Sequence, residues 1–327
     1  MSISAVSPLD PRKFQDPFVT AKGERRAHVT LKALTTLWFN TGTLCNLTCE
    51  NCYIESSPRN DRLTYLTTSE VAEYLDEIER EGLGTELIGF TGGEPFMNPS
   101  LPAMLDEALS RGYRVLVLTN AMKPMHKKKA ALLALRERYG DRLTIRVSID
   151  HYGRDVHERE RGKRSWPPTI EGFKWLAENG FSLNVASRYL SGESESALRQ
   201  GFAQLFAELG VELDADDPVA LMIFPEMDAK VDVPEITEAC WGILNKSPAD
   251  VMCATARMVV KHKGSAHPTG TPARCYPTTP NLTSAGPSPE PAIASTSIIR
   301  IAPNSVFLGA PPAAGIDPVI WGGRPGG

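Results

Sequence analysis

Two kinds of segment alternate along the chain from about residue 34 to residue 225. Six short apolar runs have the composition of strands, and they lie at 37–39, 86–91, 114–120, 143–150, 182–188 and 220–224. The run at 114–120 carries four apolar residues in succession, which is typical of a strand buried on both faces of a parallel sheet. Segments with helical spacing follow the strands. Six strand–helix repeats therefore predict a parallel sheet with its helices outside.

The helical segments are predicted from spacing and from their ends. The first begins with a capping box at Thr67 and Glu70 and places Val71, Tyr74 and Ile78 on one face. Further helices are expected at 127–139, 169–179 and 195–209, whereas the charged stretch 154–164 is expected to be a solvated loop. Six units are too few to close an eight-fold barrel, so we expect an α/β fold with a partial, open (β/α)6 barrel of TIM-like architecture.

Composition divides the chain into four parts. An N-terminal segment covers 1–33, the barrel core covers 34–225, and a small C-terminal extension covers 226–263. Of the 26 prolines, 12 fall in the last part, 264–327, where lysine is absent. This proline density predicts a disordered, low-complexity tail. A second interpretation is that the tail is read in a shifted frame.

Charge and hydropathy limit the partners. The net charge of −4 gives no reason to expect a nucleic acid or an anionic membrane as a partner. No stretch approaches 18 consecutive apolar residues, and the N-terminus lacks the apolar core of a signal peptide. We therefore expect no membrane association and a location in the cytoplasm.

Three of the six cysteines lie within eight residues, at Cys45, Cys49 and Cys52. A loop this short can wrap three thiolates around one metal centre, and iron–sulfur clusters are bound by such thiolates. Three protein ligands leave one iron of a four-iron cluster without a side chain, which is where a substrate or cofactor could bind. A zinc site, a stray disulfide and buried inert cysteines are the alternatives. Zinc ribbons usually have two C-x2-C pairs, and this sequence lacks a second pair.

A glycine-rich turn follows the second predicted strand, at Gly92, Gly93, Glu94 and Pro95. The glycines permit a positive φ and a close approach of the backbone to a ligand, and the proline stiffens the exit. The carboxylate of Glu94 could accept hydrogen bonds from an ammonium group. Glycines at strand ends are most often simple turns, but this turn lies about forty residues after three clustered cysteines.

Together these motifs resemble the radical S-adenosylmethionine (SAM) superfamily over roughly residues 35–224. The resemblance implies that Cys45, Cys49 and Cys52 ligate a [4Fe–4S] cluster whose fourth iron is chelated by the amino and carboxylate groups of SAM. It also implies that Gly92, Gly93 and Glu94 hold the methionine amino group. Asn51 departs from the family, which usually has an aromatic residue there, and Tyr53 could shield the cluster instead.

Three more residues are assigned to the cofactor by the same resemblance. Asn120 belongs to a T-N turn after the third strand, and Ser148 to an S-x-D segment after the fourth. Arg161 lies in an H-x-x-x-R-G stretch and would pair with the SAM carboxylate, a role that Arg188 could serve instead. Ser148 could equally cap the next turn. No Ser/His/Asp or paired-carboxylate constellation is found, so no catalytic acid–base residue is predicted.

The function implied by the resemblance is reductive cleavage of SAM to a 5′-deoxyadenosyl radical, which abstracts hydrogen from an unknown substrate. An external one-electron reductant of the flavodoxin or ferredoxin type would be a partner. Cys240, Cys253 and Cys275 faintly resemble a SPASM or twitch extension with an auxiliary cluster, which would favour a peptide or protein substrate over a small metabolite. The alternatives are a non-catalytic iron–sulfur or zinc-binding protein and an inactive, truncated relative.

Overall fold

A computed structural model describes residues 10–13, 15, 16, 18–224, 234–272, 299 and 300. The strands, numbered in chain order, are β1 (His28–Val29), β2 (Thr36–Asn40), β3 (Leu87–Thr91), β4 (Arg114–Thr119), β5 (Leu143–Ser148), β6 (Ser182–Arg188), β7 (Leu221–Phe224), β8 (Ala256–Val260), β9 (Thr269–Pro272) and β10 (Ile299–Arg300).

The helices alternate with the strands of the core. They are α1 (Thr68–Arg80), α2 (Leu101–Ser110), α3 (Lys123–His126), α4 (Lys129–Tyr139), α5 (Arg154–Arg161), α6 (Trp166–Glu178), α7 (Glu195–Leu209) and α8 (Ala239–Ile243). Short 3-10 turns occur at Pro95–Met97, Gly140–Arg142, Pro248–Asp250 and Met252–Ala254.

One sheet organises the chain, with the strand order β7-β6-β5-β4-β3-β2-β8-β9. Strands β2 to β7 pair in parallel with their sequence neighbours, and a crossover that contains a helix connects each strand to the next. All six predicted strands are present. The order is linear and the sheet is not closed, so the expected open (β/α)6 arrangement is confirmed.

The C-terminal extension continues this same sheet. Strand β8 pairs in parallel with β2, so that Thr36 lies opposite Ala256, and β9 returns antiparallel to β8. The hairpin carries ordered chain to Pro272, beyond the boundary predicted at residue 264. A turn at Lys263 and Gly264 lets the chain fold back onto β8. The rest of the predicted tail, except for Ile299–Arg300, lies outside the described residues.

The main apolar core lies between the sheet and the helices. Helix α1 begins at its predicted capping box, in which Thr67 and Glu70 each accept a hydrogen bond from the backbone N–H of the other. Its inward face buries Val71, Tyr74, Leu75 and Ile78. Removing a buried aliphatic side chain of this kind costs about 2–5 kcal/mol of folding free energy. Packing therefore stabilises this helix far more than its intrinsic propensity does.

Three local predictions differ from the structure. The helix expected at 127–139 is present as α4, which begins two residues later at Lys129, and the short helix α3 precedes the predicted range. Helix α6 begins at Trp166, three residues early, because prolines fit the first helical turn, where no N–H donor is needed. The charged stretch predicted as a loop forms α5, which buries His157 and Glu160 on one face. Among the helices of the described residues, none is both long and apolar enough to cross a bilayer.

Candidate metal and cofactor site

The predicted site residues gather at the carboxyl ends of the parallel strands. The cysteines lie in a loop after β2, which we call the cysteine loop (residues 41–66), and Gly92–Glu94 follow β3. Asn120 follows β4, and Ser148 ends β5. Neighbouring parallel strands end at the same edge of a sheet, so these residues share one face of the molecule.

The glycine turn packs directly on the cysteine loop. The backbone N–H of Gly93 donates to the carbonyl of Gly42 at 2.8 Å, and that of Glu94 donates to the carbonyl of Leu44 at 3.1 Å. Gly92 has a φ of +142°, and a Cβ on Gly93 would lie 2.3 Å from the Leu44 oxygen. Only glycine therefore permits this contact, which ends one residue before Cys45.

The Glu94 side chain is buried and fully engaged. Its carboxylate accepts hydrogen bonds from the Phe96 N–H at 3.1 Å, the Thr119 hydroxyl at 2.9 Å and the Asn120 N–H at 2.8 Å. Burial raises the pKa of Glu94 to about 7, although these hydrogen bonds oppose the shift. Three protein groups thus bind the carboxylate that we predicted to accept hydrogen bonds from a ligand ammonium, and that role stays a prediction.

Asn120 connects the glycine turn to the cysteine loop. Its backbone donates to Glu94, and its side-chain amide donates to the Asn46 carbonyl oxygen at 3.0 Å. Asn46 is the residue directly after Cys45, and its own amide contacts the sulfur of Met122 at 3.7 Å. The ends of β2, β3 and β4 are therefore joined by one continuous set of polar contacts.

The cysteines of the described residues, Cys275 lying outside them, are free thiols. Burial raises the pKa of Cys45 to about 12, with a further contribution from the nearby charge of Glu94, and burial also raises the pKa of Cys49. Within the described residues, no group of three or more His, Cys, Asp or Glu side chains converges so as to hold a metal ion. The thiolates of a four-iron cluster bind different iron atoms, so a cluster does not require that convergence.

Arg161 supplies positive charge beside these thiols. Its Nε lies 2.6 Å from Oδ2 of Asp150, and its Nη2 donates to Oδ1 at 2.9 Å. Although burial opposes the charge, attraction to Asp150, Cys49 and Cys45 keeps the pKa of Arg161 above its usual value. A mostly buried cation beside two of the three thiols, Cys45 and Cys49, suits a thiolate-bound cluster, so the residues present fit such a group.

Ser148 and Arg188 flank this arrangement. On β5, Ile145 and Val147 pack into the core with the helices, so Ser148 points to the opposite, interior face of the barrel. Arg188 ends β6, and its guanidinium donates to the Glu160 carboxylate at 2.6 Å and to the Asn51 carbonyl at 3.1 Å. Arg188 therefore contacts the cysteine loop.

Sequence reasoning missed Glu160. Its carboxylate accepts from the backbone N–H of Asn51 at 3.0 Å and from the Asn51 amide at 2.8 Å. The signal was available, because His157, Glu160 and Arg161 have the i, i+3, i+4 spacing of one helix face. That face was not recognised, since the run of charges around it indicated a loop.

A search of protein families matches residues 39–200 to the radical SAM superfamily. Residues 39–200 are a radical SAM domain. The matched range contains the three clustered cysteines, the glycine turn, Asn120, Ser148 and Arg161. The cofactors of radical SAM proteins are a [4Fe–4S] cluster and SAM, in agreement with the prediction from the cysteines and the glycine turn.

Curated relatives include several radical SAM proteins. The antilisterial bacteriocin subtilosin biosynthesis protein AlbA of Bacillus subtilis (strain 168) is 32% identical over 143 residues, which are 43% of this chain and 30% of AlbA. The mycofactocin maturase MftC of Mycolicibacterium smegmatis is 28% identical over 169 residues, 52% of this chain and 41% of MftC. The GTP 3′,8-cyclase of Rhodococcus opacus (strain B4) is 28% identical over 183 residues, 53% of this chain and 50% of the cyclase.

Solved structures share the fold. Streptococcus suis SuiB bound to S-adenosylmethionine superposes with a TM-score of 0.51 at 13% identity, covering 69% of this chain and 58% of SuiB. The chain therefore spans half or less of the curated relatives above and somewhat more than half of SuiB.

Cys240 and Cys253 pack in an apolar cluster that contains no residue of the cysteine loop. Cys253 is buried in a small apolar cluster with Ala27, Val29 and Ile236, and Cys240 packs against the same cluster. The Cys240 sulfur accepts a hydrogen bond from the Thr237 N–H at 3.4 Å. The predicted third ligand of an auxiliary cluster, Cys275, lies outside the described residues.

Proposed function

We propose that this chain is a radical SAM enzyme that cleaves SAM reductively at a [4Fe–4S] cluster. The observation that carries the proposal is the packing of the glycine turn on the cysteine loop, with two backbone hydrogen bonds immediately before Cys45. This contact brings a backbone suited to an amino acid-shaped ligand next to three thiols. A non-catalytic iron–sulfur or zinc protein would not need it.

When bound, the cluster and SAM would supply the radical chemistry, namely cleavage of the C5′–S bond to methionine with one electron from the external reductant, and hydrogen abstraction from the substrate. The protein's part is placement and exclusion of water. Cys45, Cys49 and Cys52 would ligate three irons. Gly92 and Gly93 would approach the methionine amino group through their backbone.

The remaining polar residues would orient the cofactor. Asn120 and Glu94 would fix the turn against the cysteine loop, because they hydrogen-bond each other and Asn120 also binds Asn46. Ser148, on the interior face of β5, would contact the ribose or carboxylate of SAM. Arg161 would pair with the SAM carboxylate while Asp150 holds its guanidinium, a geometry that allows one edge of the fork to face each partner.

For the substrate we propose a peptide or protein. AlbA is named as a bacteriocin biosynthesis protein and MftC as a maturase, and both names support a peptide or protein substrate. A small metabolite is the second candidate, and the similarity to GTP 3′,8-cyclase favours it. The reductant would be of the flavodoxin or ferredoxin type.

The test is anaerobic cluster reconstitution of the full chain, followed by reduction with dithionite in the presence of SAM. We expect about four irons per chain at the first site, and 5′-deoxyadenosine and methionine in equal amounts. Cys49→Ala should abolish both cluster and cleavage. Thr48→Ala is the matched control, because Thr48 is an exposed neighbour in the same loop and should leave both intact.

Other outcomes would exclude the proposal. A four-iron spectrum with no SAM cleavage would indicate an electron carrier or an inactive relative. Binding of zinc instead of iron after reconstitution would indicate a structural metal site.

The same iron measurement tests for a second cluster. Iron well above four per chain would support an auxiliary cluster, and loss of the excess in Cys253→Ala would assign it to the extension.

A further inference from the structure

The part of the cysteine loop between Cys49 and Cys52 is bound to helix α5. The backbone N–H of Glu50 donates to the carbonyl of Glu160 at 2.8 Å. The backbone N–H and the side-chain amide of Asn51 donate to the two carboxylate oxygens of Glu160, at 3.0 and 2.8 Å. Three hydrogen bonds from two consecutive loop residues thus end on a single residue of α5.

The acceptor is buried and charged, which strengthens these contacts. Only 3% of the Glu160 side chain is exposed, and Arg188 donates to it at 2.6 Å from the end of β6. The same guanidinium donates to the carbonyl of Asn51 at 3.1 Å. Hydrogen bonds to ionised groups in a desolvated setting are roughly twice as strong as neutral ones. Asn51 is therefore bound at its backbone N–H, its carbonyl and its side chain.

We propose that Asn51, Glu160 and Arg188 form a latch that positions the cysteine loop for its cluster, in place of the aromatic residue that the superfamily usually has at position 51. An aromatic ring would fix the loop by packing. Asn51 instead fixes it by hydrogen bonds to α5 and β6, so the spacing of Cys49 and Cys52 depends on the partly buried ion pair of Glu160 and Arg188. The proposal rests on the proposed function for its purpose, but the latch itself can be tested without a cluster.

Hydrogen exchange of the cluster-free protein is the first test. Glu160→Ala removes the acceptor of the Asn51 N–H, and we expect exchange of that amide to accelerate about tenfold or more. The Glu50 amide is an internal control, because its acceptor is the backbone carbonyl of Glu160, which the substitution retains. Glu137→Ala, on the exposed side of α4, is the matched control and should change neither amide.

Iron retention is the second test. After reconstitution, Asn51→Ala and Glu160→Ala should each release iron to a chelator about tenfold faster than wild type, as loss of groups that orient metal ligands does elsewhere. The double variant should be no faster than the faster single variant, because both substitutions break the same contact. Glu137→Ala should release iron at the wild-type rate.

The outcomes separate the latch from the proposed function. Unchanged exchange of the Asn51 amide in Glu160→Ala, with the amides of β4 still protected, would overturn the latch. Additive iron-release effects would also overturn it. If Glu160→Ala does not fold, Asn51→Ala, which leaves the ion pair of Glu160 and Arg188 in place, decides by iron release. A wild-type chain that binds no cluster would refute the proposed function, whereas the exchange result would still decide the latch.

Discussion

The backbone N–H of Asn120 lies 2.8 Å from a carboxylate oxygen of Glu94. This bond joins the end of β4 to the end of β3. The side-chain amide of Asn120 also donates to Asn46, the residue directly after Cys45. Glu94 thus stabilises the site by accepting hydrogen bonds from Phe96, Thr119 and Asn120. Its conformation depends on neighbours that are themselves buried, so changes at Glu94 should affect both stability and the cysteine loop.

The stability of the protein should depend on the protonation of Glu94. Because its pKa is raised to about 7 from an ordinary value near 4.5, the folded state binds this proton more tightly than the unfolded state does. The contribution to stability is fully present below pH 4.5 and is lost as the pH rises through 7. Relative to wild type, Glu94→Gln should lessen the decline in unfolding free energy between pH 4.5 and 7.5 by roughly 3 kcal/mol, measured by urea denaturation. Parallel curves for the two proteins would contradict this.

A methyl group on Gly93 should separate the glycine turn from the cysteine loop. The added Cβ would lie 2.3 Å from the Leu44 oxygen and 2.7 Å from the Thr43 oxygen, and backbone atoms cannot move aside easily. We expect Gly93→Ala to lose about 1–3 kcal/mol of stability and to reconstitute little iron. Gly242→Ala is the control, since a Cβ there meets nothing within 4 Å. Normal iron content in Gly93→Ala would refute the close contact as a requirement.

The strands and the site motifs were predictable from sequence because both have strict local signatures. A buried parallel strand is a continuous apolar run, as in β4. The glycines at 92 and 93 directly indicate a backbone that needs a positive φ or a close approach to a neighbour. Helix α5 was not predictable in the same way. Its mean composition is strongly polar, and the burial of His157 and Glu160 depends on what packs against them.

The pairing of β8 with β2 also escaped prediction. Thr36 and Ala256 are separated by most of the chain, and no local pattern specifies which strand fills the edge of a sheet. The contacts of the latch residues were not predicted for the same reason. From the sequence Asn51 was only a departure from the family pattern, and the structure shows that its side chain binds Glu160. Interactions between distant segments are where sequence patterns give least information.

His157 should make the protein sensitive to acid. The ring is fully buried and lies edge-to-face on Trp166, with 5.3 Å between ring centroids. Burial lowers its pKa to about 4, from an ordinary value near 6.5. Its contribution is therefore fully present above pH 6.5 and is lost as the pH falls toward 4. Between pH 7.5 and 5, wild type should lose about 2 kcal/mol more unfolding free energy than His157→Phe.

The measurement is chemical denaturation of both proteins at the two pH values. His157→Phe leaves Glu94 unchanged, so the opposite pH dependence of that residue cancels in the comparison. Equal losses in the two proteins would show that His157 is protonated in the folded state or is not buried.

The ion pair of Lys261 and Glu70 should stabilise the junction between the extension and the core. The two charged groups lie 2.5 Å apart, with side chains 19% and 12% exposed. Lys261→Met should lower the unfolding free energy by about 1–2 kcal/mol, because it leaves a partly buried carboxylate without its partner. Lys263 and Asp61 form a comparable pair at 2.6 Å but are 65% and 51% exposed. Lys263→Met should therefore change stability by less than about 0.5 kcal/mol, and equal effects would refute the distinction.

Strand β2 precedes the cysteine loop and hydrogen-bonds β3 on one side and β8 on the other. During synthesis, β3 emerges soon after β2, but β8 follows more than two hundred residues later. Until then one edge of β2 is an open template for pairing with other chains. The second edge of β2, the strand that leads into Cys45, therefore stays unpaired until β8 has been synthesised, and molecules that bind open strand edges have that interval in which to act on it.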